Sequence, residues 1–378
     1  MIWVLIQFLL MFSLILFLHE SGHFIAAKAF GVEVEEFGFG LPPRIVKLFT
    51  WKGTDFTLNW LPIGAFVKPR GEFDDESATM EGGFKSVGPW KQLIIYFAGP
   101  LMNLLTLVVV LLIIAQLVGI PNTRVVMIDR VLPDSPAAHA GLRSGDVFVT
   151  VNGIRVDSMQ IGTGLFYDAA GLENRIVFER GGEEFTVMVT TLKEPPAGRG
   201  PLGVVLTNPM RKVSFGEGIR IGIQDSFGMI RGYLQSLGML FSGQVDPNVG
   251  LVGPVGIFSM YQDVAEDDAE ILEKRKEREA LAAAGEDLSE DSGADSALPW
   301  YNRLMFFAMI SMAVGISNLL PIPALDGGRM MLLVPELIFR KRVPMKVEAW
   351  LNVAGMVLII GLSVYLIFKD VFIMVTGS

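Results

Sequence analysis

The sequence predicts a mainly α, polytopic membrane protein with four transmembrane helices and a small α+β domain inserted between the second and third helices. Two observations support this prediction. Hydrophobic residues make up 51% of the chain and charged residues only 19%, which is a richly apolar composition for a soluble protein. Four apolar runs also approach or exceed the length of about 20 residues that a bilayer span needs; they cover residues 1–18, 93–120, 304–325 and 349–368.

The composition excludes several kinds of chemistry. The chain has no cysteine, so disulfides, thiolate nucleophiles and cysteine zinc sites are ruled out. The net charge is −9, and residues 261–300 alone carry thirteen acidic and four basic side chains. The acidity therefore belongs to one local insert, and we expect no nucleic-acid partner. We expect this insert to be a partly disordered, solvated linker, because it is rich in charge and poor in aromatic residues.

The first apolar run ends in the sequence His19-Glu20-Ser21-Gly22-His23, although no charged residue precedes it. Ionisable groups at membrane depth are expensive and are therefore candidates for function. Residues i and i+4 share one face of a helix, so His19 and His23 can bind one ion. This is the H-E-x-x-H pattern, in which two histidines hold zinc and the glutamate is the general base. The chain has only three histidines, which makes a chance match improbable.

A third ligand is predicted at Asp326, directly after the third apolar run. The first and third of four spans run in the same direction, so their ends reach the same side of the membrane at a similar depth. A catalytic zinc takes three protein ligands and keeps one open position. Pro321 and Pro323 cannot continue a regular helix, and an unwound segment at membrane depth needs a protein-lined or wet cavity.

The distribution of basic residues predicts the orientation. Arginine and lysine follow the first and third runs, and no basic residue precedes Lys28. Because cytoplasmic loops carry the excess of basic residues, the zinc site is expected toward the cytoplasm. Both termini and the loop after the second run are then extracytoplasmic. The first run also lacks the basic start of a signal peptide, so we interpret it as a retained span.

Residues 123–192 have the pattern of a compact soluble domain with short strands, a glycine-capped helix and hairpin turns. Asn152-Gly153 is a typical hairpin signal. The motifs SPAAHAGLRSGD and VNG resemble those of bacterial PDZ domains, which bind an extended peptide as an added strand. The resemblance implies a peptide or substrate ectodomain as a partner, with residues 202–205 as the binding strand. His139 is expected on the surface and not in a metal site.

The remaining segments complete the predicted organisation. Residues 211–260 mix apolar residues with charges and are predicted to form amphipathic helices at the membrane interface. The predicted regions are 1–120 for the first membrane half, 121–210 for the PDZ domain, 211–260 for the interfacial helices, 261–300 for the acidic insert and 301–378 for the second membrane half.

Four motifs in order resemble the bacterial site-2 proteases of the regulator-of-sigma-E type, which are intramembrane zinc metalloproteases. They are HESGH at 19–23, FAGPLMN at 97–103, GPVGI at 253–257 and NLLPIPALDGG at 318–328. The resemblance implies Zn²⁺ as the cofactor, Glu20 as the general base, and His19, His23 and Asp326 as the metal ligands.

The same resemblance implies further site residues. Asn318 matches the asparagine of the family that contacts substrate. Gly38-Phe39-Gly40 resembles a Gly-x-Gly motif in a re-entrant β element whose edge pairs with an unwound substrate helix. Asn103 is expected beside the site and is grouped with the substrate-binding residues. Arg329 departs from the family pattern, since relatives often have histidine there.

The resemblance implies a protease of the bacterial inner membrane that cleaves the transmembrane segments of single-span proteins, in contact with the lipid bilayer. Such substrates include anti-sigma factors and remnant signal peptides, and cleavage belongs to regulated intramembrane proteolysis. Two alternatives remain at this point. The chain could be a membrane scaffold with a vestigial zinc motif, or a zinc-dependent transporter or metal sensor.

Overall fold

The computed structural model describes residues 1–71, 79–196, 199–246, 250–283 and 300–376. The chain divides into two compact units. The first consists of Met1–Leu112, Ile219–Glu266 and Asn302–Ser378, and the second consists of Ile113–Gly218 and Asp267–Tyr301. The first unit contains most of the long apolar helices, and the second contains a small sheet domain.

The helices, in chain order, are α1 (Ile2–Ala29), α2 (Pro89–Leu117), α3 (Pro136–His139), α4 (Met159–Asp168), α5 (Phe215–Phe241), α6 (Pro254–Ala283), α7 (Tyr301–Asn318), α8 (Asp326–Phe339) and α9 (Met345–Thr376). The strands are β1 (Val34–Trp51), β2 (Thr54–Pro69), β3 (Ile120–Pro121), β4 (Val126–Val131), β5 (Val147–Val151), β6 (Ile154–Arg155), β7 (Glu173–Arg180), β8 (Glu183–Thr190), β9 (Val204–Thr207) and β10 (Met210–Arg211).

Among the described residues, three helices are long and apolar enough to cross a membrane, namely α1, α2 and α9. They correspond to the first, second and fourth predicted spans. Many of their large apolar side chains are exposed, for example Leu10, Val109 and Val357. Exposed apolar surface on this scale is not stable in water, so these helices identify a membrane protein.

The third predicted span differs from the structure. The sequence predicted an apolar span over residues 304–325, whereas α7 ends at Asn318 and the chain turns before α8 begins at Asp326. Pro321 and Pro323 lie in this turn, where their rings and missing N–H groups are compatible with an irregular backbone. Gly327 and Gly328 then pack against the backbone of the turn, where a side chain on either glycine would collide with main-chain carbonyl groups.

β1 and β2 form a folded-back antiparallel sheet beside α1. The first half of β1 lies between the two halves of β2, since Phe37 is opposite both Phe56 and Val67. The second half of β1 pairs with the outer side of the first half of β2. Gly40 and Gly64 have positive φ angles of 76° and 86°, a conformation that glycine adopts without strain. The last residues of β2 therefore form an edge strand.

Aromatic side chains attach this sheet to α1. The ring of Phe37 lies 5.5 Å from those of Phe17 and Phe24 and 5.4 Å from that of Phe56, measured between ring centroids. Phe37 is only 2% exposed. Because such ring pairs stabilise a contact beyond their buried area, they fix the sheet next to the part of α1 that carries the histidines.

The second unit contains an antiparallel sheet of six strands in the order β8-β7-β5-β4-β9, with β6 paired to β5. Its core contains Val126, Ile128, Phe148 and Ile176, and Phe166 of α4 joins them. Ser158 begins α4 by accepting a hydrogen bond from the N–H of Ile161. This unit is the small α+β domain that the turn-rich pattern of the sequence predicted.

An ion pair between a buried carboxylate and a half-buried guanidinium stabilises this domain. The Asp146 side chain has no exposed surface and accepts hydrogen bonds from Nε and a terminal nitrogen of Arg180 at 2.6 and 2.7 Å. The N–H of Arg143 also donates to Asp146, at 2.8 Å. The hydrogen bond to Asp146 raises the pKa of Arg180. The carboxylate of the SGD motif is thus a structural group that holds β7 against the turn before β5.

The helices after this domain are longer than the sequence predicted. α5 is one continuous helix whose Gly222 packs against α2, and α6 extends from the GPVGI motif to Ala283. The N–H of Gly256 donates to Asp370 of α9 at 2.8 Å, which attaches the start of α6 to the last span. The part of the acidic insert predicted to be disordered falls on residues 284–299, which lie outside the described residues.

Candidate metal centre

Three potential ligand atoms converge in the first unit. Nε2 of His19 lies 3.0 Å from Oδ2 of Asp326 and 3.2 Å from Nε2 of His23. Nε2 of His23 lies 3.3 Å from the same Asp326 oxygen, so the three atoms form a closed triangle. A tetrahedral zinc ion with bonds of about 2.0–2.1 Å holds its ligands about 3.3 Å apart. The spacing and the two-imidazole, one-carboxylate donor set therefore fit zinc.

Each ligand is placed by a separate local feature. His19 and His23 share one face of α1, one turn apart. Asp326 is the first residue of α8, and the turn after α7 brings it to the histidines. Gly99 of α2 lies directly against the Nε2 side of both imidazoles, and Gly22 of α1 lies against the backbone of α2. The two glycines allow α1 and α2 to approach closely enough for α2 to support the rings.

The opposite nitrogens of the two imidazoles contact α2. Nδ1 of His23 lies 2.8 Å from the carbonyl oxygen of Ile95, and Nδ1 of His19 lies 3.2 Å from the side-chain amide of Asn103. Metal-binding histidines characteristically use their second ring nitrogen in this way, which fixes the ring orientation. The carbonyl of Ile95 accepts the proton of Nδ1, so Nε2 of His23 is left with its lone pair directed to the metal position.

Glu20 occupies a different position from the ligands. Its Oε2 accepts a hydrogen bond from the N–H of Val67 at 3.1 Å, and it is not part of the group of three converging donors. Glu20 lines the same cavity as His19, His23 and Asp326. A carboxylate beside a metal centre but not bound to it has the placement of a general base.

The cavity in front of these residues has a volume of about 550 Å³. Its wall includes Asn318, Arg329 and the final residues of β2, from Phe66 to Pro69. The Asn318 amide donates to the carbonyl of Val314 at 3.0 Å, and the Arg329 guanidinium lies 5.7 Å from the centre of the Tyr96 ring. The cavity is large enough for several residues of an extended peptide.

Two segments that were predicted to bind substrate do not line the cavity, and their role in substrate binding stays a prediction. Gly38 and Phe39 pair with strand partners on both sides, so they present no open edge among the described residues. The Gly40 carbonyl accepts a hydrogen bond from the Asn59 side chain. Asn103 is completely buried behind His19 and does not line the cavity. A motif search finds both segments, but pairing on two sides and burial depend on contacts that are distant in sequence.

The sequence analysis missed the strand that does face the cavity. The last part of β2 is an edge strand, its Val67 N–H contacts Glu20, and Phe66, Lys68 and Pro69 line the cavity. The available signal was Gly64, a glycine in an otherwise apolar strand pattern, which indicates a bend or a close backbone approach.

A comparison with protein-family models identifies the family of this chain. The model for peptidase family M50 matches residues 7–275 and 279–362, which includes the three converging donors and Glu20. The chain belongs to peptidase family M50. With that membership, the predicted resemblance to the site-2 proteases is confirmed.

Individual relatives agree with the family. A Clostridium perfringens protein named "putative zinc metalloprotease" is 28% identical over 96% of this chain and 97% of its own length. The zinc metalloprotease RasP of Shouchella clausii is 26% identical over 97% and 98%. The chloroplastic membrane metalloprotease ARASP of Arabidopsis thaliana is 28% identical over 94% and 76%. This M50 member is accordingly a zinc metalloprotease that is embedded in a membrane, with Zn²⁺ as its metal.

Proposed function

We propose that this M50 protein is an intramembrane endopeptidase that hydrolyses peptide bonds within the transmembrane segments of single-span membrane proteins. The observation that supports the proposal is the position of the centre. His19 and His23 lie on α1, a helix long enough to span a bilayer, and their neighbours on α2 belong to a second such helix. Peptide bonds that reach this centre come from segments at membrane depth.

The chemistry assigned to the chain is amide hydrolysis. His19, His23 and Asp326 would hold zinc, which when bound polarises the scissile carbonyl and acidifies water. Glu20 takes a proton from the attacking water while the water oxygen bonds to the carbonyl carbon. The carbon–nitrogen bond then breaks, and Glu20 returns the proton to the leaving amine. Asn318 contacts the substrate from the wall of the cavity.

The edge of β2 is proposed to present the substrate. A transmembrane helix shields its own amides by internal hydrogen bonds, so a cleavable segment must unwind. An unwound segment at membrane depth needs new partners for its backbone groups, and an edge strand offers a row of them. Val67 to Pro69 provide this edge beside Glu20, in place of the Gly-x-Gly motif that the sequence favoured.

The small domain at 121–210 is proposed to be a PDZ domain that faces the extracytoplasmic side. Between α4 and β9 it has a cavity of about 290 Å³ lined by Met159, Phe166, Leu202 and Val204, which suits an extended peptide. The domain would bind a newly formed C-terminus or exclude bulky, uncut ectodomains. The substrates would be anti-sigma-factor-like proteins or remnant signal peptides of the bacterial inner membrane, cleaved after a first cut outside it.

The proposal also assigns a topology of four spans, with α7 and the following turn as the third. Both termini are then extracytoplasmic and the zinc centre opens toward the cytoplasm, as the basic residues after α1 and α8 indicate.

The test compares Glu20→Gln with the unchanged protein on a purified single-span substrate in proteoliposomes. Glu20→Gln should keep zinc and slow cleavage by roughly 10²–10⁴-fold, because only the general base is lost. Ser21→Ala is the matched control, since the Ser21 hydroxyl donates to the Phe17 carbonyl of its own helix.

Each rival function gives a different result in the same preparation. Near-normal cleavage by Glu20→Gln would overturn the assigned role of Glu20. A zinc-free protein without cleavage would indicate a scaffold. A zinc-loaded protein that moves zinc across the vesicle membrane without cleaving substrate would indicate a transporter.

A further inference from the structure

Asn103 is a buried polar residue to which the proposed hydrolysis assigns no function. Its side chain has no exposed surface and lies on α2 with an amide branch 3.2 Å from Nδ1 of His19. The other branch, Oδ1, is buried and has no hydrogen-bond partner among the residues that the structure describes. Burying an amide with one unsatisfied branch costs free energy. The contact with His19 is therefore the interaction that accounts for an asparagine at position 103.

The chemistry of His19 determines which amide atom faces it. Nε2 of His19 points at Asp326 and His23, so a bound metal takes its lone pair and the neutral ring carries its proton on Nδ1. Nδ1 is then a donor and needs an acceptor. The oxygen and nitrogen of an asparagine amide exchange by a half-turn and are assigned from their hydrogen bonds.

We propose that Asn103 is a positioning residue whose side-chain oxygen accepts the Nδ1–H of His19, which holds the imidazole in the tautomer and orientation that bind zinc. The arrangement parallels that of His23, whose Nδ1 donates to the Ile95 carbonyl. One ligand is therefore oriented by a main-chain carbonyl of α2 and the other by a side chain two turns further along the same helix.

α7 holds Asn103 in place. The Ser311 hydroxyl donates to the Asn103 main-chain carbonyl at 3.2 Å. Gly315 packs so tightly that a side-chain carbon built on it would lie 3.0 Å from Cβ of Asn103. Residues that orient a metal ligand are effective only when packing fixes their own rotamers, and contacts from α7 provide this support.

The inference rests on the zinc centre of the proposed function. Its test measures the zinc affinity of the protein and does not measure proteolysis. Full-length protein in detergent is titrated with zinc against a chromogenic chelator of known affinity. Asn103→Leu, which keeps the volume and removes the acceptor, should weaken zinc binding by about 10- to 100-fold. Asn103→Asp keeps an acceptor and should bind zinc at least as tightly as asparagine, since a carboxylate partner makes the ligand more basic.

The control is Thr106→Val, a buried site one turn further along α2 whose hydroxyl donates to the Met102 carbonyl of the same helix. It should leave zinc binding unchanged. Cobalt-loaded protein adds a second readout, because the visible absorption of Co²⁺ reports ligand geometry; Asn103→Leu should alter the spectrum and Asn103→Asp should restore it.

Two results overturn the inference. One is a folded Asn103→Leu variant with unchanged zinc affinity, and the other is an Asn103→Asp variant that loses zinc while Thr106→Val keeps it. Either result leaves the hydrolytic role of Glu20 untouched.

Discussion

Replacing Gly99 by alanine should weaken zinc binding while the protein stays folded. A side-chain carbon built on Gly99 lies 2.8 Å from Nε2 of His19 and closer still to Nε2 of His23. Ordinary contacts of such a carbon begin at 3.4 Å, and the Nε2 atom of His23 lies only 2.2 Å away. The His23 ring must therefore retreat by about 1.2 Å and the His19 ring by about 0.6 Å, against a tolerance of about 0.2 Å for metal–ligand distances. Overpacking of this kind costs about 1–3 kcal/mol. When this cost is subtracted from the free energy of zinc binding, the affinity for zinc falls by about 5- to 150-fold.

The measurement is the zinc dissociation constant of the purified protein, together with its elution volume in size-exclusion chromatography as a check of folding. Gly228→Ala is the control, because Gly228 is also helical and a carbon built on it meets no described atom within 4 Å. It should bind zinc normally. A well-folded Gly99→Ala variant with unchanged zinc affinity and activity would show that the imidazoles do not occupy the positions described for the centre.

Three further predictions concern the edge strand, the small domain and the topology. Val67→Pro removes the N–H that contacts Glu20 and should reduce cleavage while zinc content, measured by atomic absorption, stays constant; unchanged cleavage would argue against this contact. Arg180→Met leaves the buried Asp146 carboxylate without its cation and should destabilise the small domain by about 3–5 kcal/mol, which pulse proteolysis of the full chain measures; unaltered protease resistance would contradict the structural role of the pair. A cysteine at the exposed Gln160 should react with an impermeant thiol reagent in intact cells, whereas labelling only after lysis would invert the proposed orientation.

The convergence of His19, His23 and Asp326 could be predicted from sequence because the signals are local. His19 and His23 are four residues apart on a helix, and no charged residue precedes them. Asp326 required only the direction of the spans and the depth of their ends. Helical periodicity and hydrophobic length determine all of these features, and the structure brings the three donors together at 3.0–3.3 Å.

The edge strand that faces the cavity could not be predicted because it depends on sheet register. Gly38-Phe39-Gly40 has the composition of an edge motif, but the fold-back of β2 covers the first half of β1 on both sides. Which strand remains open is decided by the bends at Gly40 and Gly64 and by the aromatic contacts of Phe37 with α1. These contacts join residues that are distant in sequence, and no alternating pattern within either strand encodes them.

The end of α7 shows the same limit in a helix. Hydrophobicity continues to Leu325 and predicts a longer span, yet the helix stops at Asn318. The two prolines of the following turn favour this outcome, but the tight packing of Gly327 and Gly328 on that turn determines where Asp326 finally lies. Apolar composition therefore located the membrane region, while steric fit determined the position of the third ligand.

Glycine contacts explain how a polar centre can be assembled among apolar helices. Lipid is as apolar as the helices themselves, so helix association in a bilayer depends on close packing at small residues and on buried polar contacts. Gly22 and Gly99 bring α1 against α2, and Gly315 brings α7 against Asn103. The same close approaches place the backbone carbonyl of Ile95 and the amide of Asn103 within reach of the two imidazoles. Packing of the helices and placement of the converging donors are thus one structural requirement at these glycines.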